Sequence, residues 1–113
     1  MADCLFCKIA EKEIRARIVL ENEYAVAFED LNPQAPKHIL IIPKRHIAAL
    51  SECKPEDAEL LGQLQLAAVK LAAELGLTGG FRLVLNNGRS AGQSVDHIHY
   101  HLLGGRRLGW PPG

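Results

Sequence analysis

Three histidines near the C-terminal end of the chain alternate with apolar or aromatic residues. They are His97, His99 and His101, three of the five histidines in a sequence of 113 residues. Imidazole transfers protons near neutral pH and also acts as a nucleophile. The alternation predicts a strand over residues 97–103, with the three histidines on one face and successive ones ~6.7 Å apart. A chance cluster on a solvated strand face is the alternative without function.

A loop of small residues precedes this strand. Residues 87–94 include Gly88, Gly92 and the small side chains of Ser90, Ala91 and Ser94. Such residues let backbone N–H groups approach an anion closely. The histidines alone also fit a metal site, because His-x-His offers two imidazoles to one zinc ion. The loop favours a phosphate held against a nucleophilic histidine, although without the histidines it fits an ordinary strand connection.

A pair of thiols lies at the other end of the chain. Cys4 and Cys7 have the Cys-x-x-Cys spacing that supplies half of a tetrahedral zinc site. With three cysteines in all, this spacing suits metal or redox chemistry better than a disulfide framework. Histidines elsewhere are the obvious source of further ligands, and two reduced thiols packed as small apolar groups are the alternative. Cys53 has no partner in sequence and is predicted to be a free thiol.

The elements that must position these residues follow from the surrounding pattern. The sequence predicts a short helix over 5–12, strands over 18–20, 24–28, 38–42, 81–86 and 97–103, and a long helix from Pro55 to a stop at Gly76. Strands interrupted by one long helix indicate an α+β fold with a mainly antiparallel sheet. We expect a single domain over residues 1–113, with a C-terminal tail from about residue 104.

The long helix and the strand over 81–86 carry more apolar surface than one small core needs. The apolar residues concerned are Leu60, Leu61, Leu64, Ala67, Ala68, Leu71, Ala72, Leu75, Phe81, Leu83, Val84 and Leu85. A two-fold symmetric homodimer would bury the excess. The alternative is a monomer whose helix covers one face of the sheet.

Composition narrows the classes of partner. Thirteen basic and thirteen acidic residues give a formal net charge of zero, which is poor support for nucleic-acid binding. No apolar run approaches the ~20 residues that cross a bilayer. The first four residues show neither the basic nor the apolar segment of a signal peptide. We expect no nucleic-acid or membrane partner and a cytoplasmic location.

Taken together, these motifs resemble the histidine triad (HIT) superfamily. Residues 97–103 are similar to its His-φ-His-φ-His-φ-φ signature, where φ is an apolar residue. Segments 30–38, 42–46, 92–95 and 103–106, and the ending at residues 110–113, are similar to the Hint branch in particular. The resemblance covers essentially the whole chain in order and spacing.

The resemblance implies a HIT-like antiparallel sheet of about five strands with one long helix and a short N-terminal helix. It implies a purine nucleotide hydrolase of the adenosine 5′-monophosphoramidase type, acting at the α-phosphate of an AMP-type substrate. By the same resemblance, His99 would form a covalent nucleotidyl-imidazole intermediate, His101 would hydrogen-bond the phosphate, and His38 would support the nucleophile. Two subunits would join their sheets into a ten-stranded homodimer, with Trp110 near the partner's active site.

The resemblance also implies a nucleotide site and a metal site. Ser94 and backbone N–H groups of residues 92–95 would contact the phosphate or the leaving group, and Asp30 the ribose. The implied nucleotide-binding set is Phe28, Asp30, Leu31, Asn86, Gly92, Gln93, Ser94, Val95, His99 and His101. Some HIT proteins bind structural zinc at positions that correspond to Cys4, Cys7, His46 and His97. Four protein ligands leave no open position, so this zinc would take no part in catalysis.

One residue departs from the family pattern, and two other functions stay open. Asp96 stands where an aromatic or uncharged residue is more usual. Strand alternation would turn it away from the triad, so we expect little effect on the chemistry. The alternatives are a purine nucleotide-binding regulatory module with little turnover and a dinucleoside polyphosphate hydrolase. His101 argues against a related nucleotidylyltransferase, which has glutamine at that position, and the Hint-like ending argues against the polyphosphate hydrolase.

Overall fold

All five strands predicted from the sequence join one antiparallel sheet. The computed structural model describes residues 3–113; Met1 and Ala2, where no signal peptide is expected, lie outside the described residues. In chain order the elements are α1 (Leu5–Ala10), β1 (Ile18–Glu21), β2 (Ala25–Glu29), β3 (Lys37–Pro43), α2 (Ala58–Glu74), β4 (Arg82–Leu85) and β5 (Tyr100–Gly104). The strand order is β1-β2-β3-β5-β4, and the predicted α+β fold is confirmed.

The central strand β3 separates two differently covered faces of the sheet. Ile39 and Ile41 point toward α2, in a core shared with Tyr100 and Leu102. The alternate residues of β3 point to the opposite face, where Leu40 and Ile42 pack with Phe6 and Ile9 of α1 and with Val26 and Phe28 of β2. His38 has the same strand parity as Leu40, so it lies on the face that α1 covers. Burial on both faces is what the apolar run of β3 predicts.

Helix α2 begins and ends where its sequence signals place it. A 3₁₀ turn over Pro55–Asp57 leads into it, and the carboxylate of Asp57 accepts the Lys54 backbone N–H at 2.9 Å. Gly76 follows the last turn with a φ of +74°, a conformation that favours glycine. The helix therefore presents one fixed face to the sheet.

The apolar surface of α2 is distributed differently from the sequence-based expectation. Leu64, Ala67, Ala68, Leu71 and Ala72 are buried against the protein's own sheet. The exposed large apolar residues of the helix are Leu66 and Val69, which are 59% and 56% exposed. Five of the twelve residues that we assigned to a dimer contact are therefore core residues, and five more are partly buried against that core.

Strand β5 starts three residues later than predicted. It runs over Tyr100–Gly104, while residues 95–97 form a bend. Two hydrogen bonds hold the bent segment: the Ile98 N–H donates to the Ile47 carbonyl at 2.8 Å, and His97 Nε2 donates to the Pro43 carbonyl at 2.9 Å. These bonds replace the strand pairing expected at His97.

Between β4 and β5, residues 86–99 form an irregular connection that includes a 3₁₀ turn over Arg89–Ala91. Gly88 and Gly92 flank this turn with φ values of +90° and +95°. Among residues 3–113, no helix is both long and apolar enough to span a bilayer.

Candidate active site and metal cluster

A backbone carbonyl selects one tautomer of the buried His99 imidazole. Its Nδ1 lies 2.8 Å from the carbonyl oxygen of His97. A carbonyl oxygen only accepts hydrogen bonds, so Nδ1 carries the proton and Nε2 carries the free lone pair. The ring of Phe6 in α1 contacts His99 edge-on, with 5.0 Å between the ring centroids. The contact with the His97 carbonyl therefore selects the tautomer of the neutral ring in which Nε2 has the free lone pair.

A chain of hydrogen bonds fixes the tautomers of His38 and His101 as well. The Gln34 backbone N–H donates to His38 Nδ1 at 3.0 Å, so the proton of neutral His38 is on Nε2. That Nε2 lies 2.9 Å from His101 Nδ1 and donates to it. The remaining proton of His101 is therefore on Nε2, free to donate to a ligand. His38 thus supports His101 directly, whereas the resemblance had assigned it to the nucleophile.

The surroundings keep these imidazoles neutral. Burial, followed by the charges of His99 and His38, lowers the pKa of His101 to about 4. Burial also lowers the pKa of His38, although the nearby Asp30 carboxylate opposes this shift. Near pH 7 the His38 and His101 imidazoles are therefore neutral. The hydrogen-bond chain described above requires both rings in this form.

The residues predicted to bind ribose and base surround this pair unevenly. Asp30 Oδ2 lies 3.5 Å from His38 Nε2, while its Oδ1 accepts the Asn32 N–H at 2.8 Å. Phe28 is buried, with its ring centroid 5.6 Å from that of Phe6. Leu31 is 99% exposed and projects into solvent. The structure therefore brings Asp30 to the histidines, with Phe28 beneath the site and Leu31 outside it.

The loop before the histidines is held together by the buried side chain of Gln93. Its Oε1 accepts the Gly88 N–H at 2.8 Å, and its Nε2 donates to the carbonyls of Ala48 and Val95 at 2.7 and 3.0 Å. These bonds keep the Gln93 side chain within the protein. If Gln93 contributes to nucleotide binding, its side chain therefore does so by holding the loop in shape.

The other members of the predicted phosphate set lie around this loop. A Cβ added to Gly92 would be 3.9 Å from Asn86 Nδ2, so these two residues are neighbours. Val95 packs against the apolar cluster of α1, and Ser94 is exposed. The Ser94 side chain is therefore accessible at the end of the loop next to the histidines.

Asp96 lies in the bend before β5, so strand alternation does not determine its direction as we had expected. Its side chain is 70% exposed and lies 3.1 Å from Arg89 Nη2. The sequence analysis missed Arg89, because an arginine in a loop gives no signal of its partner.

Four ligand groups converge on the far side of His97. Cys4 Sγ and Cys7 Sγ lie 3.3 and 3.6 Å from His97 Nδ1, Cys7 Sγ lies 3.3 Å from His46 Nδ1, and the two Nδ1 atoms are 3.1 Å apart. Metal–ligand bonds of about 2.0–2.3 Å in a tetrahedron place ligand atoms about 3.3–3.8 Å apart. The cluster therefore has the size and ligand types to hold a metal ion, at the predicted residues.

The hydrogen bonds around this cluster suit metal binding too. His97 Nε2 donates to the Pro43 carbonyl, which leaves its Nδ1 lone pair directed at the other ligands. Burial is the main cause that raises the pKa of the Cys7 thiol to about 11, so a cation is needed to hold that sulfur as a thiolate. His97 thus belongs to the Cys/His cluster, whereas His99 and His101 do not, although the three histidines are evenly spaced in the sequence.

The third cysteine lies apart from this cluster. Cys53 is half-buried beside the α2 core, and burial followed by the Asp57 carboxylate raises the pKa of its thiol. It is a free thiol, as predicted.

The sheet, the covering helix α1 and the neutral histidine chain define a class of protein, and comparison with known proteins identifies it. The HIT domain family matches residues 11–108. An uncharacterized HIT-like protein of Synechocystis sp. is 53% identical over 111 residues, which are 98% of this chain and 97% of that protein.

Solved structures agree with this family match. A HIT family hydrolase from Legionella pneumophila is 53% identical with a TM-score of 0.97, covering 98% of this chain and 100% of that one. A histidine triad nucleotide-binding protein from Candida albicans is 35% identical with a TM-score of 0.83, covering 96% and 83%. The chain belongs to the HIT domain family, as the sequence resemblance predicts.

The low pKa of His101 predicts a loss of stability in acid. The unfolded chain binds this proton near pH 6.5, whereas the folded protein binds it only near pH 4. The stabilisation is complete above about pH 6.5 and is lost as the pH falls toward 4. We expect the melting temperature of the wild type to fall more steeply over this range than that of His101→Gln, which lacks the titrating group. Equal slopes in calorimetric scans from pH 4 to 8 would contradict the assigned burial effect.

Proposed function

We propose that this protein is a purine nucleotide-binding hydrolase of the Hint branch that cleaves nucleoside phosphoramidates at the α-phosphate. The observation that carries the proposal is the fixed tautomer of His99, whose Nδ1 bonds to the His97 carbonyl. A nucleophile at phosphorus needs an available lone pair, and this bond keeps the His99 Nε2 lone pair free. The relatives named as a hydrolase and a nucleotide-binding protein support the same class of substrate.

The first step is attack of His99 Nε2 on phosphorus. The new P–N bond forms as the bond from phosphorus to the amine breaks, and the amine leaves with its electron pair and takes up a proton. The imidazole becomes positively charged in this step, and the Nδ1–H bond to the His97 carbonyl stabilises that charge. The intermediate is a nucleotide joined covalently to His99.

The second step returns the enzyme to its starting form. Water attacks phosphorus and loses a proton to solvent, the bond from phosphorus to Nε2 breaks with its electron pair returning to nitrogen, and AMP is released from a neutral His99. The Nε2–H of His101 donates to a phosphate oxygen in both steps, because its Nδ1 is occupied by His38. Ser94 and loop N–H groups supply further donors, and such donors stabilise the charge that develops on the oxygens.

Asp30 is proposed to bind the ribose hydroxyls, with the base near Phe28 and Leu31. Its Oδ1 is oriented by the Asn32 N–H, which leaves Oδ2 beside the histidine pair. A carboxylate can accept hydrogen bonds from two hydroxyl groups, and a ribose offers two such groups. In this proposal the nucleoside would lie at the end of the site opposite to the leaving group.

Two alternatives remain as outcomes of the substrate test. A regulatory module that only senses nucleotides does not need an imidazole fixed as a nucleophile, so the geometry of His99 favours turnover. Incubation with an adenosine phosphoramidate, ATP and a dinucleoside polyphosphate, each followed by chromatography, separates the proposals. Preferred cleavage of the polyphosphate would favour the dinucleoside polyphosphate hydrolase, and binding without cleavage would favour the regulatory module.

We propose that the Cys/His cluster holds a structural zinc ion. Two thiolates and two imidazoles in a closed tetrahedron suit zinc better than magnesium or calcium, which prefer oxygen ligands. Cys4, Cys7, His46 and His97 would hold the ion. It would supply a cross-link between α1 and the segments after β3 and before β5, and no chemistry at phosphorus.

We also propose a homodimer, acting in the cytoplasm without nucleic-acid or membrane partners. Strand β4 is an edge of the sheet, and the exposed Leu66, Val69 and Phe81 lie on α2 and just before β4. An exposed sheet edge next to apolar side chains suits pairing with a second copy. Trp110 is 82% exposed on the C-terminal tail, and in the dimer it would lie near the partner's active site.

Replacement of the nucleophile tests the mechanism. We expect His99→Asn to lower the turnover of an adenosine phosphoramidate by at least ~10³-fold, because the covalent intermediate cannot form. AMP affinity, measured by calorimetry, should stay close to that of the wild type. A rate near that of the wild type would disprove nucleophilic attack by His99.

Replacement of a thiol tests the metal. Elemental analysis of the wild type should find about one zinc ion per chain. We expect Cys4→Ser to lose zinc and to lower the melting temperature, because metal binding is coupled to folding. Cys53→Ser, which changes the cysteine outside the cluster, is the matched control and should change neither quantity. Zinc content that is unchanged in Cys4→Ser would refute the assignment.

Light scattering tests the assembly. The wild type at micromolar concentration should show about twice the chain mass of 12.4 kDa. We expect Val69→Glu to shift the protein toward monomer, since it places a charge on the exposed apolar face of α2. Lys70→Glu changes the neighbouring exposed residue of the same helix and serves as the control. A fully active monomeric wild type would overturn both the dimer and the role of Trp110.

A further inference from the structure

The loop that is proposed to contact the phosphate has only part of its backbone available. The N–H groups of Gly92 and Gln93 donate within the loop, to the carbonyls of Arg89 and Gly88, each at 3.0 Å. Within residues 3–113, the N–H groups of Ser94 and Val95 have no hydrogen-bond acceptor. These two amides are therefore the backbone donors that the loop offers to an anion.

The direction of the Ser94 amide is set by the carbonyl next to it. Gln93 C=O and Ser94 N–H belong to one planar trans peptide, so they point in opposite directions. Arg89 Nη1 donates to the Gln93 carbonyl at 2.7 Å. The guanidinium therefore fixes the plane of this peptide from the side opposite to the Ser94 N–H. It also polarises the peptide, which makes that N–H a stronger donor.

The guanidinium itself is held by the residue that departs from the family pattern. Arg89 Nη2 lies 3.1 Å from both carboxylate oxygens of Asp96. The Arg89 and Asp96 side chains are 67% and 70% exposed, and ion pairs this exposed contribute little to stability. Their geometry nevertheless connects the two ends of the segment that carries Gly92 and Ser94.

We infer that Arg89 is a positioning residue of the phosphate site, which orients the Ser94 N–H through the Gln93 carbonyl and is itself oriented by Asp96. The inference rests on the proposed function for its ligand, a nucleotide phosphate. Asp96 then acts on the site only through Arg89, as the acceptor that holds its guanidinium.

Kinetic measurements on matched variants test the inference. We expect Arg89→Gln to lower kcat for an adenosine phosphoramidate about tenfold with little change in KM, because donors to the phosphate oxygens act most strongly in the transition state. The kcat of Arg89→Lys should lie between those of the wild type and Arg89→Gln, since an ammonium cannot hold the carbonyl and the carboxylate in one fork. Asp96→Asn keeps an acceptor for Nη2 and should stay within about threefold of the wild type.

Controls separate positioning from a general loss of structure. Glu21 lies on β1, at the edge of the sheet opposite to β4, and forms exposed ion pairs with Lys12 and Lys44. Glu21→Gln removes these ion pairs. It should leave kcat unchanged. All variants should keep the wild-type melting temperature. A kcat of Arg89→Gln equal to that of the wild type, or a loss explained by unfolding, would overturn the inference.

A second readout does not depend on turnover. On titration with AMP, the amide proton of Ser94 in the NMR spectrum should shift in the wild type and shift less in Arg89→Gln. If the wild type cleaves no phosphoramidate, the proposed function fails, and this titration alone decides the role of Arg89. A Ser94 amide that does not respond to AMP in the wild type, or that responds equally in the variant, would refute the inference.

Discussion

The side chain and backbone of His97 connect the two functional parts of this protein. Its Nδ1 faces two thiols and a second imidazole, its Nε2 donates to the Pro43 carbonyl, and its own carbonyl accepts the proton of His99 Nδ1. Each of these contacts constrains the next. A shift of His97 within the Cys/His cluster would move the carbonyl that fixes the tautomer of His99, so the cluster and the His99 imidazole depend on one another.

The covering helix α1 explains why such a connection is needed. It has six residues, and a helix this short is not stable in isolation. Phe6 nevertheless packs against His99 and Phe28, so α1 contributes to the burial of the His99 imidazole. Cys4 and Cys7, at the start of α1 and within it, face the His97 imidazole, so the Cys/His cluster joins this short helix to the segment that carries His99.

The sequence predicted the fold, and the grouping of the thiols with His46 and His97, from patterns of residue type and spacing. The buried run of β3, the signals at both ends of α2 and the spacing of the histidines all have counterparts in the structure. The start of β5 was predicted wrongly, because alternation continues through residues 97–99 while the backbone bends there to reach the thiols. For the same reason, strand alternation did not predict the direction of the Asp96 side chain. Its partner Arg89 is seven residues away in a loop.

The tautomers could not be predicted from sequence, and they determine the chemistry. Each is set by a backbone group: the Pro43 and His97 carbonyls for His97 and His99, and the Gln34 N–H for His38. Backbone groups are the same in every residue, so no residue type marks them. Side chains of one type therefore acquire different hydrogen-bonding roles: His97 presents Nδ1 to two thiols and a second imidazole, His99 keeps a free lone pair on Nε2, and His101 presents its Nε2–H. The fold assigns these roles by deciding which carbonyl or amide each imidazole meets.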